Sequence, residues 1–410
     1  VGEAFPVADI PAEVGRIARR LRENGYEAWY VGGAVRDVLA QRLLGLELAR
    51  IGDFDIATSA PPERVRALFR RTVPVGIEHG TVAVLDERGR AHEVTTFRRD
   101  VKTDGRHAVV EFGVSLEEDL ARRDFTINAI AVHPESGEMR DPFGGRSDIV
   151  SQRLRTVGDP DTRFREDWLR VLRGLRFASA YRLEVEAETW RALVKGVSEL
   201  GFLSRERVRD EWVKLLTTSV PSVGVGMWRR AGALRQVWPE LDALTEDHLA
   251  VLDRVTPVDA LLLTAAALAW AGSTPEVAAA AAQRLRFSNK DVARIRGVAA
   301  ALSGGPPDSG SLVAVRRWLS AHRPVAADAV AAALPEHARA ELEGTVTAIL
   351  AAGDPLSVGD LAITGDDLRQ VGIPEGPAVG RILRTLLEEV LEHPERNRKE
   401  LLMRRARELR

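Results

Sequence analysis

The rhythm of hydrophobic and polar positions changes near residue 160. Before it, short apolar runs alternate with turns. Glu27-Ala-Trp-Tyr-Val31 predicts a strand ending at Gly32-Gly33, and a helical pattern follows from Ala34. Asp53-Phe-Asp-Ile-Ala57 alternates polar and apolar residues, as a half-buried strand does. Ser59-Ala-Pro-Pro predicts a helix start with a capping hydroxyl and early prolines. Thr81–Leu85 and His92–Phe97 predict further strands, split by the turn Asp86-Glu-Arg-Gly89. Beyond residue 160 helical periods dominate 163–217, 224–302 and 312–410, with Ser303–Gly310 as the clearest linker. The alanine-rich stretches near 264–283 and 325–333 read as packed helices, because alanine favours helix and the apolar spacing persists. The pattern predicts an α/β head on a long helical body.

Composition narrows the class. The 410 residues allow two to four domains, and 45% apolar with 29% charged residues is a globular profile. The chain has no cysteine, which excludes a disulfide scaffold and cysteine-based zinc or redox sites. No apolar run is long enough to span a bilayer and no leader pattern opens the chain, so a cytoplasmic location and no membrane partner are expected. No pattern fixes an oligomeric state. The net charge of −2 conceals an uneven distribution, with arginines crowded at 153–176, 205–209 and 404–410. Lysine is scarce, and genomic base composition explains this arginine preference better than selection for arginine chemistry does.

Two features carry chemistry. Gly32-Gly33 stands at a strand-to-helix junction, where bare backbone approaches a ligand closely and a helix N-terminus offers N–H groups to phosphate. Arg36, one turn in, could reach the same phosphates. Asp53 and Asp55 lie two apart, so a strand aims both carboxylates to one face while Phe54 points into the core. Such a pair suits magnesium, which takes oxygen ligands and often shares them with substrate phosphates. A solvated strand edge would give the same two letters.

Together the Gly-Gly junction and the Asp-x-Asp strand resemble the nucleotidyltransferase superfamily that includes DNA polymerase beta. A third carboxylate is usual there, and Glu93 is the candidate, although an exposed strand glutamate reads equally well. Glu118-Asp-Leu-Ala-Arg-Arg-Asp-Phe-Thr-Ile-Asn-Ala129 resembles the ribose-selecting motif of bacterial-type, class II tRNA nucleotidyltransferases and their poly(A) polymerase relatives. Asp141–Gly145, Val157–Pro160, the arginine-rich segment Arg163–Phe177 and Arg205–Glu211 resemble later motifs, in the family's order.

The resemblance implies an α+β nucleotidyltransferase head at 1–150, with a DNA polymerase beta-like sheet and helices. It further implies an all-helical neck at 151–217, body at 218–302 and tail at 303–410. Asp53, Asp55 and Glu93 would be catalytic, with magnesium on the two aspartates. Gly32, Gly33, Arg36, Arg123 and Asp124 would meet the triphosphate and sugar. Asn128 would assist or serve as a buried structural amide. Asp167 and Arg170 would read the base, and Arg173 and Arg176 would hold the nucleotide. A helix over 167–177 puts Asp167 and Arg170 on one side as i,i+3 neighbours, where a surface ion pair is the plain alternative. A carboxylate and a guanidinium match the amine and unprotonated ring nitrogen that C and A share, and clash with U and G.

The implied activity is template-independent addition of C and A from CTP and ATP to the 3′ end of tRNA. A-only addition, CC-only addition, poly(A) synthesis and non-catalytic RNA binding are the rivals. Val75–Val82 resembles the tRNA-specific form rather than poly(A) polymerase. The full-length Thr96–His107 loop favours CCA or A addition over CC addition. The loop between Asp37 and Asp53 is longer than the family pattern, and Gly52 stands where lysine is frequent.

Overall fold

The computed structural model describes residues 4–46, 51, 53–103, 108–256, 258–333 and 336–409. Gly52, part of the long loop before Asp53, and the tip of the Thr96–His107 loop lie outside the described residues. The chain forms two compact units, Val1–Pro239 and Glu240–Arg410.

In the first unit α1 (Ala12–Glu23) precedes β1 (Ala28–Val31), α2 (Gly33–Leu44), β2 (Asp55–Thr58), α3 (Pro62–Leu68), β3 (Thr72–Pro74), β4 (Thr81–Leu85) and β5 (Ala91–Thr96). The strands β6 (Arg98–Thr103) and β7 (Ala108–Phe112) pair as a separate hairpin. Then come α4 (Leu116–Ala121), a short turn of tight helix at Thr126–Asn128, β8 (Ala131–Val132), β9 (Met139–Arg140) and α5 (Gly145–Val150).

The main sheet runs β3-β4-β5-β2-β1-β8-β9. β2 and β5 are parallel, and the other neighbours are antiparallel. β1 is central and buried at every position, which is what its unbroken apolar run requires. One face packs Trp29, Val31 and Ala57 against Phe97, Leu116 and Leu120. On the other, Tyr30 meets Phe54 edge to face at 5.9 Å.

Two local expectations are corrected. The acidic strand begins at Asp55 rather than Asp53, so Asp53 and Phe54 lead into it. The helix after Ser59 starts at Pro62 with no side-chain cap; the Ser59 hydroxyl instead accepts from the Glu27 N–H at 2.8 Å, tying the end of β2 to the start of β1.

The unit continues through a minor parallel pair, β10 (Arg153–Leu154) with β11 (Glu184–Val185). The helices α6 (Pro160–Glu166), α7 (Leu169–Ala180), α8 (Ala187–Gly196), α9 (Arg205–Leu216), α10 (Pro221–Ala231) and α11 (Ala233–Val237) follow within it. Trp212, fully buried, packs on Trp228 and Trp238 with ring centroids 5.4 Å apart in each pair.

The second unit is helical among its described residues, and its alanine-rich stretches are packed helices, as at Ala260–Trp270 and Pro275–Arg284. Its C-terminal part packs Leu319, Leu342, Ile349, Leu386, Val390 and Leu402 into a core of its own. Among the described residues no helix is long and apolar enough to cross a membrane. An α+β head followed by helices is the class that the hydrophobic rhythm predicts.

Candidate active site

The sheet delivers Gly32 and Asp55 to one point. Val31, the last residue of β1, lies opposite Asp55, the first of β2. Gly32 follows with φ 80°, a backbone that side chains resist, and a methyl group there would sit 3.1 Å from Asp55 Oδ2. The junction therefore needs glycine for two reasons, its turn and the carboxylate against it. Ile56 pairs in parallel with Val94, so the next register position brings Glu93 beside Asp55. Burial first, and Glu93 second, push the Asp55 carboxyl up to about 6; Arg123 opposes the shift and Asp53 adds to it.

Among the described residues no three His, Cys, Asp or Glu side chains gather tightly enough to hold an ion alone. The donors are the Asp53–Asp55 pair, with Glu93 adjacent. They are hard oxygens, and a divalent cation would relieve the negative charge of Glu93 and Asp53 that adds to burial in lifting Asp55. Magnesium commonly takes one or two carboxylates and completes its shell with water and phosphate oxygens, so the residues fit it.

Asp55 opens onto a cavity of about 540 Å3. Arg36, Arg122, Arg123, Arg170, Arg173, Arg176, Arg207 and Lys214 line it, against the carboxylates of Asp55, Asp124 and Asp167. Eight cations facing three acids make a polyanion the matching ligand. Gly32, Gly33, Asn128, Leu169 and Phe177 complete the wall. Asp53 and Glu93, both exposed, stand outside the lining.

The segment Glu118–Ala129 reaches the cavity through its capping. Ser115 and Glu118 form a reciprocal capping box that starts α4, and α4 ends just before Arg122-Arg123-Asp124. Buried Asp119 then holds both arginines, Arg122 at 2.9 Å and Arg123 at 3.3 Å. Arg123 Nη1 also donates to the Asn128 carbonyl at 3.3 Å. Asp124 Oδ1 accepts from Asn128 Nδ2 at 2.9 Å, and Oδ2 from Arg173 Nε at 2.7 Å. Burial works against the Asp124 charge, yet Arg173, the Asn128 hydrogen bond and Arg170 hold its carboxyl well below the usual range.

Asn128 Oδ1 accepts from Arg36 Nη1 at 2.6 Å, so the amide links Asp124 to α2. Arg36 also donates to Asp37 Oδ1 at 2.7 Å and lies over the rings of Phe177 and Tyr181, 4.7 and 4.6 Å from their centroids. The Tyr181 hydroxyl, pushed up to about 12 by burial, donates to Asp37 at 2.6 Å. Arg36 is thus a buried clamp between α2 and α7 that shows one edge to the cavity.

Gly145, in the segment Asp141–Gly145, acts from behind. Asp141 accepts from the Gly145 and Arg146 N–H groups, and a methyl at Gly145 would land on the Thr126 carbonyl oxygen. α5 therefore presses directly on the turn that carries Asn128. Gly145→Ala should cost about 1–3 kcal/mol through overpacking against backbone, measured by denaturant unfolding.

The helix expected over 167–177 begins at Leu169, two residues late. Asp159 and Pro160 start α6 separately, it closes at Glu166, and Asp167 is extended with φ −157° and ψ 107°. Asp167 Oδ1 accepts from the Leu169 N–H at 3.1 Å, using its short carboxylate to satisfy a free donor at the start of α7. Its Oδ2 accepts from Arg207 Nη2 at 2.7 Å. Arg170 Nη1 donates to Glu166 at 2.6 Å and to the Arg163 carbonyl at 3.0 Å, and Nη2 to the Arg122 carbonyl at 3.1 Å. Asp167 and Arg170 share the wall without pairing to each other. Arg176 Nε donates to buried Glu211 at 2.7 Å while its guanidinium lies 4.3 Å from the Phe177 ring centroid.

Sequence reasoning missed Arg122, Phe177, Arg207 and Lys214 as lining residues. Arg207 and Arg122 lie in segments singled out for family likeness, a signal that marked the stretch without marking the side chain.

Family comparison agrees with this geometry. Residues 28–155 match the poly A polymerase head domain, and residues 182–245 match the probable RNA and SrmB-binding site of polymerase A. The chain is 45% identical over 257 residues to a CCA-adding enzyme of Geobacillus thermodenitrificans, covering 58% of this chain and 61% of that protein. It is 50% identical over 202 residues to one from Streptococcus pyogenes, covering 49% and 48%. The matched stretches thus span less than two thirds of these curated relatives. The fold superposes on the Bacillus stearothermophilus CCA-adding enzyme in complex with CTP, with a TM-score of 0.79, 32% identity, and 97% of this chain and 98% of that one covered. The Thermotoga maritima CCA-adding enzyme complexed with tRNA shares the fold at a TM-score of 0.68 and 20% identity. Acidic residues at the start of a central strand beside a glycine junction, an arginine-lined cavity and a near-complete structural match at this identity place the chain in the class II tRNA nucleotidyltransferase and poly(A) polymerase family.

Proposed function

We propose that the protein adds C and A residues to the 3′ end of tRNA, without a nucleic-acid template, from CTP and ATP. The observation that carries this reading is the cavity of about 540 Å3, which joins Asp55 and the Gly32 junction to a cationic floor and to Asp167 and Arg170. One end suits a metal-bound triphosphate and the other suits a base.

In this reading the tRNA 3′-hydroxyl attacks the α-phosphate of the nucleotide; a new phosphodiester bond forms and pyrophosphate leaves. Asp53 and Asp55 would hold magnesium, which activates the hydroxyl and stabilises the leaving pyrophosphate. Arg123, steadied by Asp119 and the Asn128 carbonyl, offers donors to the phosphates. Asp124, locked by Asn128 and Arg173, presents a fixed acceptor to the ribose.

Asp167 and Arg170 keep capacity for a base. A carboxylate has about four acceptor positions, of which the Leu169 N–H and Arg207 occupy two. Arg170 uses three hydrogen bonds on Nη1 and Nη2, leaving Nε–H and one Nη2 hydrogen. An acceptor beside a donor pair matches cytosine and adenine.

The first compact unit contains the proposed head, 1–150, and neck, 151–217, and takes in the opening helix of the proposed body, 218–302; the tail would be 303–410. The test supplies tRNAs ending before the terminal CCA, after its first C and after its second C, each with CTP, ATP or both, and reads product lengths. CCA addition predicts completion of all three with both nucleotides. Long A tracts would point to poly(A) synthesis, completion of the third tRNA alone to A addition, and no extension of any tRNA would overturn the enzyme reading.

A further inference from the structure

Asp167 and Trp168 form the break between α6 and α7, yet they face different spaces. Asp167 lines the cavity described above. Trp168 lines a second cavity, of about 410 Å3, together with Phe164 and the α8 residues Ala192 and Gly196. α8 closes onto the break at Gly196. A methyl group there would stand 2.9 Å from Val171 Cγ2 and 3.2 Å from Trp168 Cζ3, closer than side-chain carbons normally approach.

The backbone at Gly196 does not explain its glycine. Its φ of −72° and ψ of −11° are ordinary helical angles that alanine adopts readily, and alanine is the better helix former. Space alone requires glycine. The two residues that press on Gly196 are the chain neighbours of the two that face the base: Trp168 follows Asp167, and Val171 follows Arg170. By contrast, a methyl at nearby Gly201 would meet nothing within 4 Å.

We propose that Gly196 is a positioning residue for nucleotide choice. By letting α8 press on Trp168 and Val171, it fixes the first turn of α7, and with it the Asp167 carboxylate and the Arg170 guanidinium. This rests on the proposed base-reading role of that pair. Polar discrimination depends on aligned donors and acceptors, so a displacement well under 1 Å in the wall erodes it before it erodes triphosphate binding.

The experiment measures kcat/KM for CTP and UTP, and the KM for tRNA, in wild type, Gly196→Ala, Gly201→Ala and Trp168→Phe. Gly196→Ala should lower the CTP-to-UTP ratio by about tenfold or more, with the KM for tRNA within about twofold of wild type. Gly201→Ala should match wild type. Trp168→Phe, which thins the same contact from the other side, should lower the ratio as well. A folded Gly196→Ala protein with the wild-type ratio overturns the proposal, even if its melting temperature has fallen, because the glycine would then be structural only. If Gly196→Ala yields no soluble protein, Trp168→Phe decides: a lowered ratio supports the proposal and an unchanged one overturns it. A wild type that adds C and A yet shows no preference over U and G would instead remove the base-reading role on which the proposal stands.

Discussion

Replacing both Asp53 and Asp55 with Ala should abolish nucleotide addition while leaving tRNA affinity within a few-fold of wild type. In the proposed reading the two side chains would be the hard oxygen donors to magnesium beside the cavity that Asp55 lines, and metal stabilisation of a phosphoryl transition state contributes several kcal/mol. Loss of about 5–6 kcal/mol corresponds to roughly a 10⁴-fold fall in kcat. Single-turnover addition with saturating tRNA, beside a filter-binding measurement, separates the two effects. Residual activity above a few per cent of wild type would remove these aspartates from the mechanism. A thermal melt without metal gives an independent check. The carboxyl of Asp55 is raised from 3.8 to about 6 in the folded chain, so folding binds its proton more tightly. The penalty is absent below the unfolded value, grows as pH rises through this window, and reaches about 2–3 kcal/mol above it. Asp55→Asn should therefore stabilise the metal-free protein at neutral pH, and added magnesium should narrow the difference by stabilising wild type.

Asp167→Ala is expected to damage choice more than binding. The acceptor that would take the exocyclic amine of C or A disappears, while the arginines proposed to face the triphosphate remain. Discrimination built on paired polar groups reaches on the order of 10⁴ in a buried site, so the CTP-to-UTP ratio should fall by about 10²-fold or more in this partly open cavity. The KM for the cognate nucleotide should change by less than about tenfold. An unchanged ratio would transfer base reading to another side chain. The variant also frees Arg207 Nη2, which Asp167 engages at 2.7 Å, so magnesium-free tRNA binding serves as a control for misplaced charge.

Much of the site was legible because its parts are local in the chain. The Gly32-Gly33 junction follows from an apolar run that stops at glycine, and the acidic pair from the two-residue repeat of a strand. Even there the strand begins two residues late, because β1 spans only Ala28–Val31 and offers no partner opposite Asp53. The break at Asp167 was hidden by continuity: Phe164, Trp168, Val171 and Leu172 keep a helical apolar spacing across it. What interrupts the helix is a carboxylate accepting from the Leu169 N–H, an alternative that periodicity does not weigh. Arg207 escaped because its partner is 40 residues away, and nothing in the order of letters ties α9 to the turn before α7. The clamp role of Arg36 required two rings on α7 that no pattern in residues 32–37 announces.

That clamp has a mechanical consequence. Arg36 holds Asp37 on its own helix and caps the neighbouring rings of Phe177 and Tyr181, and the Tyr181 hydroxyl donates to Asp37. Drawing α2 away from α7 would lift the guanidinium off both rings and take the Tyr181 hydroxyl from Asp37, a carboxylate that is 6% exposed, at a cost of a few kcal/mol. The span from the glycine junction to the first helix of the arginine-rich wall is therefore held rigid. If the proposed addition of C and then A holds, room for a two-ring base after a one-ring base would come from side chains shifting along the rim, as a vice of fixed gap accepts a thicker workpiece only by compressing its liners.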